Sequence, residues 1–260
     1  MSRTSAYNPP GMGAPPPLSI VIPTHDTREL TLACLASLFR SPVPGMEVLV
    51  VDDASRDGTA EAVQEQFPQV VVQRHETAER FTRAANHGLA RAGGDILMLL
   101  NSDTEVEAKG LAALPAIFEQ EPALGIAGAL LHYPGGSPQW SGGREPTPAW
   151  FFALASGLPA LLRRLPFYRR LRPLAGPGPV RVDWVTGAAM AFRRQVWDAA
   201  GPLDEGFRFY AQDLDFCLRA RRAGWEVAVR PELRVLHHHG ATIGQDPGAS
   251  RRQQYELLWT

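Results

Sequence analysis

"DILMLLNSDT", residues 95–104, decides the fold, because an apolar run here ends abruptly in polar residues. Ile96 to Leu100 have the near-continuous apolar character of a strand that is buried on both faces of a sheet. Asn101, Ser102 and Asp103 follow directly, and these side chains bind ligands well and pack poorly in a core. The stretch therefore predicts a buried strand whose carboxyl end faces a ligand.

Two earlier stretches have the same form. "LSIVIPTHD" begins at Leu18 and ends in His25 and Asp26, and "MEVLVVDD" ends in Asp52 and Asp53. A further apolar run, "VVVQR", follows, and amphipathic helical segments separate all of these runs. Apolar strands that alternate with helices predict an α/β fold with a mostly parallel central sheet and helices on both faces.

The polar residues at these strand ends should meet at one edge of the sheet. In open α/β sheets, ligands bind beyond the carboxyl ends of the strands. An alternative is that these residues cap helices and form turns, as Asp and Asn often do. Asp26, with Glu29 three residues later, resembles a capping pair for the first helix, and Thr59 could cap the second. Both interpretations remain open for any single set.

Composition and charge exclude several classes of protein. The 260 residues include 26 basic and 27 acidic side chains, so a polyanion such as nucleic acid is not the expected partner. The two cysteines, Cys34 and Cys217, lie far apart and suggest neither a disulfide framework nor a cysteine zinc site. No signal peptide or run of about 20 apolar residues is present, which favours a cytoplasmic protein.

The sequence predicts one large domain with short extensions at both ends. The leader is rich in proline and in small or polar residues, so we expect it to be disordered. We expect the last residues to be a mobile segment or part of a truncated helix. The predicted boundaries are a leader at 1–17, a domain at 18–245 with two halves at 18–104 and 105–245, an insertion at 134–181, and a C-terminal segment at 246–260.

The segment 150–172 combines aromatic and leucine residues with five arginines. One interpretation is an amphipathic contact with anionic lipid at the inner face of the membrane. The other is a packed helical insertion, because Pro159 and Pro166 would interrupt a continuous interfacial helix.

Six motifs occur in an order that resembles family 2 glycosyltransferases. They span about residues 18–245 and read "SIVIPTHD", "VLVVDDASRDGT", "ANHGLARAGGDILMLLNSDT", "VDWVTGAAMAFRR", "GPLDEGFRFYAQDLDFCLRARRAGW" and "VLHHHGAT". The resemblance implies the GT-A fold, which binds nucleotide-diphosphate sugars. It also implies that 18–104 is a nucleotide-binding half and that 105–245 is an acceptor or catalytic half. The Trp184–Gly187 stretch and the Asn-Ser-Asp motif are most similar to the rhamnosyltransferase-like branch, which implies dTDP-rhamnose as the donor.

The resemblance also implies how the donor is bound. His25 would stack on the pyrimidine, Asp53 would accept its ring N–H, and Asp52 would lie close by. A carboxylate that accepts from a ring N–H selects its base, because a mismatched base leaves it unpaired. The residues implied for donor binding are Pro23, His25, Asp52, Asp53, Arg83, Asn101, Ser102, Asp103 and Gly187.

The implied cofactor is Mn²⁺ or Mg²⁺, which would bridge the donor diphosphate. The metal motif of the family is usually Asp-x-Asp, and here Asn101 replaces the first acid, so Asp103 would act nearly alone. Mg²⁺ commonly takes only one or two protein carboxylates and completes its shell with phosphate and water. His237 matches the family position near the metal, and an imidazole ligand would favour Mn²⁺.

The implied catalytic base is Asp213. The family usually has Glu-Asp before a helix, and here the pair is Gln212–Asp213. Loss of the neighbouring acid should lower the pKa of Asp213 relative to a paired-acid site. The implied reaction is inverting transfer from a nucleotide sugar to the hydroxyl of a glycan or lipid-linked acceptor in cell-surface polysaccharide or glycolipid assembly. Because acids are lost at Asn101 and Gln212, a catalytically silent protein that binds sugar nucleotides is the alternative.

Overall fold

The computed structural model describes residues 16–107, 109–147, 178–207 and 211–238. The predicted membrane-contact segment 150–172, the C-terminal segment 246–260 and all but Pro16 and Pro17 of the predicted leader lie outside these residues. Among the described residues, no helix is both long enough and apolar enough to cross a membrane.

The first half alternates strands and helices as predicted. Its elements are β1 (Leu18–Thr24), α1 (Arg28–Phe39), β2 (Glu47–Asp52), α2 (Thr59–Gln66), β3 (Val71–Arg74), α3 (Phe81–Arg91) and β4 (Ile96–Leu100). β1 pairs in parallel with both β2 and β4, and β2 pairs in parallel with β3. The prediction of buried parallel strands is confirmed here, because every residue of β1 and β4 is buried.

The second half extends the same sheet with mixed pairing. Its elements are β5 (Thr104–Val106), α4 (Gly110–Gln120), β6 (Leu124–His132), β7 (Gly142–Gly143), β8 (Val180–Val182), β9 (Trp184–Val185), β10 (Ala189–Arg193), α5 (Arg194–Ala200), α6 (Gln212–Arg222) and β11 (Glu226–His237). The strand order is β3-β2-β1-β4-β10-β6-β11-β5, with β8 on β11. β10 runs antiparallel to both of its neighbours, whereas β11 runs parallel to β6.

Two apolar clusters cover the two faces of the sheet. Along β1, Ile20 and Ile22 contribute to the cluster that includes α1, α2 and α4, whereas Val21 contributes to the cluster that includes α3, α5 and α6. Successive residues of a strand point to opposite faces, so a strand buried on both sides must be apolar throughout. The prediction of helices on both faces is therefore confirmed.

The predicted insertion 134–181 contains paired strands near both ends. Gly142 and Gly143 form β7, which pairs with β9, and Val180–Val182 form β8, which pairs with β11. The boundary at 181 falls inside β8, and backbone pairing connects both flanks of the insertion to the rest of the domain.

Both predicted helix caps are wrong. The N-cap of α1 is Thr27, and Asp26 instead takes a φ of 49° and accepts a hydrogen bond from the backbone of Arg56. Thr59 is the first residue of α2 rather than its cap. The Asp57 carboxylate instead contacts the first residue of each helix, because it accepts the backbone N–H groups of Arg28 and Thr59.

Candidate active site

The polar ends of the strands lie along one edge of the sheet. Thr24 at the end of β1 pairs with Asp52 at the end of β2. Leu100 at the end of β4 pairs with Ala189, where the antiparallel β10 begins. β11 runs parallel to β6, so His237 at its end lies on the same edge. The chain direction of each strand thus brings residues that are distant in sequence to one edge, as the sequence predicted.

Asp103 and His237 face each other at this edge. The Nε2 atom of His237 lies 3.3 Å from Oδ1 of Asp103, and both side chains are nearly buried. Backbone pairing fixes this arrangement, because His237 pairs with Thr104 and the N–H of His238 donates to the Asp103 carbonyl. His238 points elsewhere, with its Nε2 3.1 Å from a carboxylate oxygen of Glu105.

Gln139 orients the His237 ring. The Gln139 amide nitrogen donates to the backbone carbonyl of His237 at 2.6 Å, so its Oε1 must be the atom that lies 2.9 Å from Nδ1 of the same histidine. Nδ1 therefore carries the proton that Oε1 accepts, and in the neutral ring Nε2 presents a lone pair toward Asp103. Two electron-rich atoms at this distance require a proton or a cation between them. A nitrogen and a carboxylate oxygen suit a divalent ion, so the pair fits the metal that the sequence predicted.

Asp213 is half-buried at the start of α6. Its Oδ2 accepts the N–H of Gly187 at 2.7 Å, and its Oδ1 accepts the N–H of Leu214 at 2.9 Å. Burial raises the pKa of the Asp213 carboxyl above its ordinary value, although hydrogen bonds from Gly187 and Leu214 oppose the shift. A carboxylate with a raised pKa is a better proton acceptor than an exposed one.

Asn101 and Gln212 stand where family 2 glycosyltransferases usually have acids, and both have a buried side-chain oxygen without a partner among the described residues. The Oδ1 atom of Asn101 and the Oε1 atom of Gln212 are buried, and neither has a hydrogen-bond partner among the described residues. Asn101 is held beside Gly187, because its N–H donates to the carbonyl of Ala188. Buried polar groups usually pair with protein, water or a ligand, and the described residues supply no partner for these two oxygens.

Asp53 anchors the loop between β3 and α3. Its Oδ1 accepts the N–H of Glu79 at 2.7 Å and Nδ1–H of His75 at 2.9 Å, and its Oδ2 accepts the N–H of Arg80 at 2.8 Å. Arg80 takes a φ of 78°, a conformation that costs a non-glycine residue free energy. An ionised carboxylate can accept about four hydrogen bonds, so one position remains for a base N–H.

His25 lies next to Asp53 with its ring largely exposed. Its Nδ1 donates to the backbone carbonyl of Asp53 at 2.6 Å, which fixes the ring against the end of β2. The side chain is 49% exposed, so a ring face is open for the predicted stacking contact. Pro23 is buried in β1, two residues before His25.

Asp52 and Ser102 have side-chain contacts within the protein. Asp52 is fully buried, and its Oδ1 accepts the N–H of Ser55 at 2.9 Å, which is the turn-capping alternative, while its Oδ2 has no hydrogen-bond partner among the described residues. The Ser102 hydroxyl is 3.0 Å from that of Thr27 and belongs to a buried hydroxyl cluster. The donor contacts of both residues stay predictions.

Arg83 and Gly187 are also engaged within the protein. The guanidinium of Arg83 donates to the Glu205 carboxylate at 2.9 Å, and the Gly187 N–H is bonded to Asp213. Asn86 joins the same contact, because its side-chain amide donates to Oε1 of Glu205 at 3.1 Å, and it also donates to and accepts from the backbone of Leu203. Hydrogen bonds from Asn86 and Arg83 hold the pKa of Glu205 below its ordinary value.

Sequence reasoning missed Gln139 and the role of Asn86. Gln139 lies in a loop rich in glycine, proline and serine, where no period or spacing marks a single side chain. Asn86 stands in the quoted motif "ANHG", and a buried polar residue in an amphipathic helix was the available signal. Both act on residues about 100 positions away, so only the folded chain reveals their partners.

Sequence comparison identifies relatives of the chain. Residues 19–197 match the profile of the family described as "Glycosyl transferase family 2". The N-acetylglucosaminyl-diphospho-decaprenol L-rhamnosyltransferase of Mycobacterium tuberculosis (strain ATCC 25618 / H37Rv) is 28% identical over 252 residues, which cover 89% of this chain and 79% of the relative. The O-antigen biosynthesis protein RfbC of Myxococcus xanthus is 27% identical over 241 residues, which cover 89% of this chain and 18% of RfbC.

A third relative, the uncharacterized protein y4gI of Sinorhizobium fredii (strain NBRC 101917 / NGR234), is 28% identical over 255 residues, which cover 94% of this chain. The chain spans 27% of the length of y4gI, so it corresponds to one part of that longer protein.

Solved structures with the same fold include two glycosyltransferases. GalNAc-T7 with UDP, GalNAc and Mn²⁺ matches with a TM-score of 0.63 and 18% identity, over 86% of this chain and 44% of that chain. The mannosyltransferase PcManGT from Pyrobaculum calidifontis, in complex with GDP-Man and Mn²⁺, matches with a TM-score of 0.61 and 20% identity, over 94% of this chain and 64% of that chain. At these identities the likeness establishes the fold, which is GT-A. Since the family profile covers more than half of the 260 residues, the chain belongs to glycosyl transferase family 2.

Proposed function

We propose that the protein is an inverting, metal-dependent glycosyltransferase that moves a sugar from a nucleotide-diphosphate donor to an acceptor hydroxyl. The observation that carries this proposal is the Asp103–His237 pair, 3.3 Å apart, at the same sheet edge as the half-buried carboxylate of Asp213. The Asp103–His237 pair suits a cation that neutralises a diphosphate. The Asp213 carboxylate suits the removal of a proton.

Asp103 and His237 would hold the metal ion. When bound, Mn²⁺ or Mg²⁺ would neutralise the diphosphate and the negative charge that develops on it as it departs. Asp103 would supply a carboxylate oxygen and His237 would supply Nε2, while Gln139 keeps the proton on the other ring nitrogen. A single carboxylate and one imidazole leave most of the coordination shell to phosphate and water, so binding should be weak without the nucleotide.

Asp213 would take the proton of the acceptor hydroxyl. The acceptor oxygen forms a bond to the anomeric carbon as the bond from that carbon to the diphosphate oxygen breaks. Because attack and departure are in line, the configuration of the anomeric carbon inverts. The N–H groups of Gly187 and Leu214 hold the two carboxylate oxygens, which aims their remaining lone pairs at the acceptor.

The donor is proposed to be dTDP-rhamnose. His25 offers an exposed ring for stacking, and the Asp53 carboxylate next to it retains one acceptor position for a pyrimidine N–H. We assign the Asn101 and Gln212 amide oxygens, which have no partner among the described residues, to hydroxyls of the sugar or the acceptor. The name of the Mycobacterium tuberculosis relative, an L-rhamnosyltransferase acting on a lipid diphosphate, supports this donor and a lipid-linked acceptor.

A thermal-shift panel of nucleotide diphosphates and nucleotide sugars, each with and without Mn²⁺, tests the proposal. A ligand that binds the folded state raises the unfolding temperature, and the rise grows with the logarithm of its concentration relative to its Kd. We expect dTDP-rhamnose with Mn²⁺ to give the largest shift, and Asp103→Asn to remove the Mn²⁺-dependent part. Equal shifts with and without the ion would contradict the metal assignment.

A catalytically silent protein that binds sugar nucleotides is the second candidate. The observation that favours it is the pair of amides, Asn101 and Gln212, at positions where the family usually has acids. Donor binding without transfer to any member of an acceptor panel would support this candidate. Transfer that Asp213→Asn leaves unchanged would instead reject Asp213 as the base.

The proposed lipid-linked acceptor predicts a peripheral contact with the inner face of the membrane through residues 150–172. Sedimentation of the full chain with anionic and with neutral vesicles tests this contact. Substitution of the segment's arginines by glutamine should reduce sedimentation with anionic vesicles. Equal sedimentation with both vesicle types would argue against the contact.

A further inference from the structure

Four side chains form a line of contacts beside the candidate active site. Asp53 Oδ1 is 2.9 Å from Nδ1 of His75, and Nε2 of His75 is 3.0 Å from Nδ1 of His87. Nδ1 of His87 is in turn 3.7 Å from Oε2 of Glu79. The potential ligand atoms of His75, Glu79 and His87 all lie within 4.8 Å of one another.

The proton positions in this line follow from Asp53. Its carboxylate also accepts two backbone N–H groups, so it is an acceptor and the proton of the contact sits on Nδ1 of His75. In the neutral ring, Nε2 of His75 then carries a lone pair directed at Nδ1 of His87. The two histidine rings meet edge to face, with their centroids 5.0 Å apart. Such a nitrogen pair is joined either by a proton on His87 or by a metal ion.

A histidine that binds a metal ion through one ring nitrogen usually donates the N–H of its other ring nitrogen to a carboxylate, a backbone carbonyl or water. That contact fixes the tautomer, orients the ring and raises the basicity of the nitrogen that binds the metal. The Asp53–His75 contact has this geometry, and His75 is held firmly because its side chain is only 7% exposed. His75 is therefore held by Asp53 in the orientation that a metal ligand needs.

The distances also suit a small tetrahedral ion. Nitrogen and oxygen ligands lie about 2.0–2.2 Å from Zn²⁺, so two ligands of one tetrahedral ion are roughly 3.3 Å apart. The observed separations of 3.0 Å and 3.7 Å bracket that value. His87 and Glu79 are 45% and 34% exposed, so both side chains can make the small adjustments that remain.

We propose that His75, Glu79 and His87 bind a transition-metal ion, with Zn²⁺ as the ion that two imidazoles and a carboxylate favour, at a site separate from Asp103 and His237. Mg²⁺ prefers oxygen ligands and an octahedral shell, so it does not suit this set. Three protein ligands leave a fourth position, which faces solvent beside the two exposed side chains.

The site joins the loop after β3 to helix α3. His75 directly follows β3, Glu79 precedes the strained Arg80, and His87 lies on α3. A bound ion would cross-link these parts and so stabilise the loop whose N–H groups hold Asp53. If the proposed donor contact of Asp53 is correct, occupancy of this site would also tighten nucleotide binding. The metal site itself does not depend on that function.

Zinc binding to the full chain, measured by competition with a chromophoric chelator and without any nucleotide, tests the proposal. A background that carries Asp103→Asn and His237→Gln removes the other candidate site. In this background we expect one Zn²⁺ per chain, and we expect His87→Ala and Glu79→Gln each to weaken binding at least about tenfold. Both altered side chains are partly exposed, so the variants should fold, and circular dichroism without zinc checks this.

His132→Ala is the matched control, because His132 also lies beside a carboxylate, with its Nε2 2.9 Å from Oε1 of Glu107. This variant should retain zinc binding and the zinc-dependent rise in unfolding temperature. Equal zinc affinity in the background chain and in His87→Ala would overturn the proposal, as would a loss in His132→Ala equal to that in His87→Ala. Neither result would bear on glycosyl transfer, which a separate activity assay measures.

Discussion

The backbone N–H of Gly187 donates to Oδ2 of Asp213 at 2.7 Å, which joins the start of helix α6 to the turn before β10. These residues are 26 positions apart, and the contact holds the candidate base in one orientation. A Cβ atom at Gly187 would lie 3.4 Å from Cβ of Asp213, so the turn approaches the base closely. The backbone of the turn before β10 thereby positions the carboxylate of Asp213 at the start of helix α6.

Asp213→Asn should abolish most of the transfer activity while leaving nucleotide binding intact. General-base assistance contributes about 10²- to 10⁴-fold to rate, so we expect the turnover number to fall by that factor. Steady-state transfer assays and nucleotide titrations measure the two effects. Asp215→Asn is the control, because Asp215 forms an ion pair with Arg219 on the same helix and should leave the rate nearly unchanged.

Asp213 should also make stability depend on pH. Its pKa in the folded state is raised by burial, so between its ordinary and raised pKa the folded chain binds more protons than the unfolded chain. The free energy of unfolding therefore falls as the pH rises through this window. We expect the stability of the wild type relative to Asp213→Asn to decrease as the pH rises above about 4, the ordinary pKa of an aspartate. Urea unfolding at several pH values measures this difference, and a constant difference would contradict the raised pKa.

Gln139→Leu should weaken metal binding without removing a ligand. The substitution deletes the acceptor for Nδ1–H of His237, so the ring loses its fixed orientation and tautomer. Loss of such a partner typically lowers metal affinity about 10- to 100-fold. Mn²⁺ titration in the presence of a nucleoside diphosphate measures this change. Gln64→Leu, at an exposed position on α2, should bind Mn²⁺ as the wild type does.

Asp53→Ala should destabilise the fold as well as reduce donor binding. Two backbone N–H groups and one ring N–H lose their acceptor, and each buried donor left unpaired costs about 1–3 kcal/mol. We expect the free energy of unfolding to drop by at least about 2 kcal/mol. Asp198→Ala, at an exposed position on α5, is the control for loss of an acid. Unchanged stability in Asp53→Ala would mean that Asp53 contacts only the ligand.

Gly88→Ala should destabilise the protein, although helix propensity alone favours alanine by about 1 kcal/mol. A Cβ atom at Gly88 on α3 would lie 2.3 Å from Cγ1 of Val21 and 2.9 Å from Cγ2 of Val51. Overpacking of this kind costs about 1–3 kcal/mol, and the contacted atoms belong to buried strands that cannot move aside easily. Thermal and urea unfolding measure the change. Gly135→Ala, with no atom within 4 Å, should have little effect.

The sequence by itself determined the strands, the helices and the edge where the polar residues meet. Ile96 to Leu100 are apolar at every position, and only a strand covered on both faces requires that pattern. Parallel strands end at the same edge of a sheet, so the sequence alone predicted that His25, Asp53 and Asp103 lie at one edge. The sequence did not predict that β10 would enter antiparallel between β4 and β6, because an apolar strand of five residues carries no signal of its direction.

The partner of each polar side chain appears only in the tertiary structure. Asp52 and Asp53 are neighbours in one motif, yet Asp52 accepts from the backbone of Ser55 whereas Asp53 accepts from the backbone of Glu79 and Arg80. Ser102 and Asp103 are neighbours in another, yet Ser102 contacts Thr27 whereas Asp103 faces His237. Gln139 and His237 are 98 positions apart, so only the folded chain shows that they are partners. A sequence pattern records whether a side chain is polar or apolar and its period along the chain. The partner of a polar group depends on contacts between distant segments, and packing of the whole sheet is what creates those contacts.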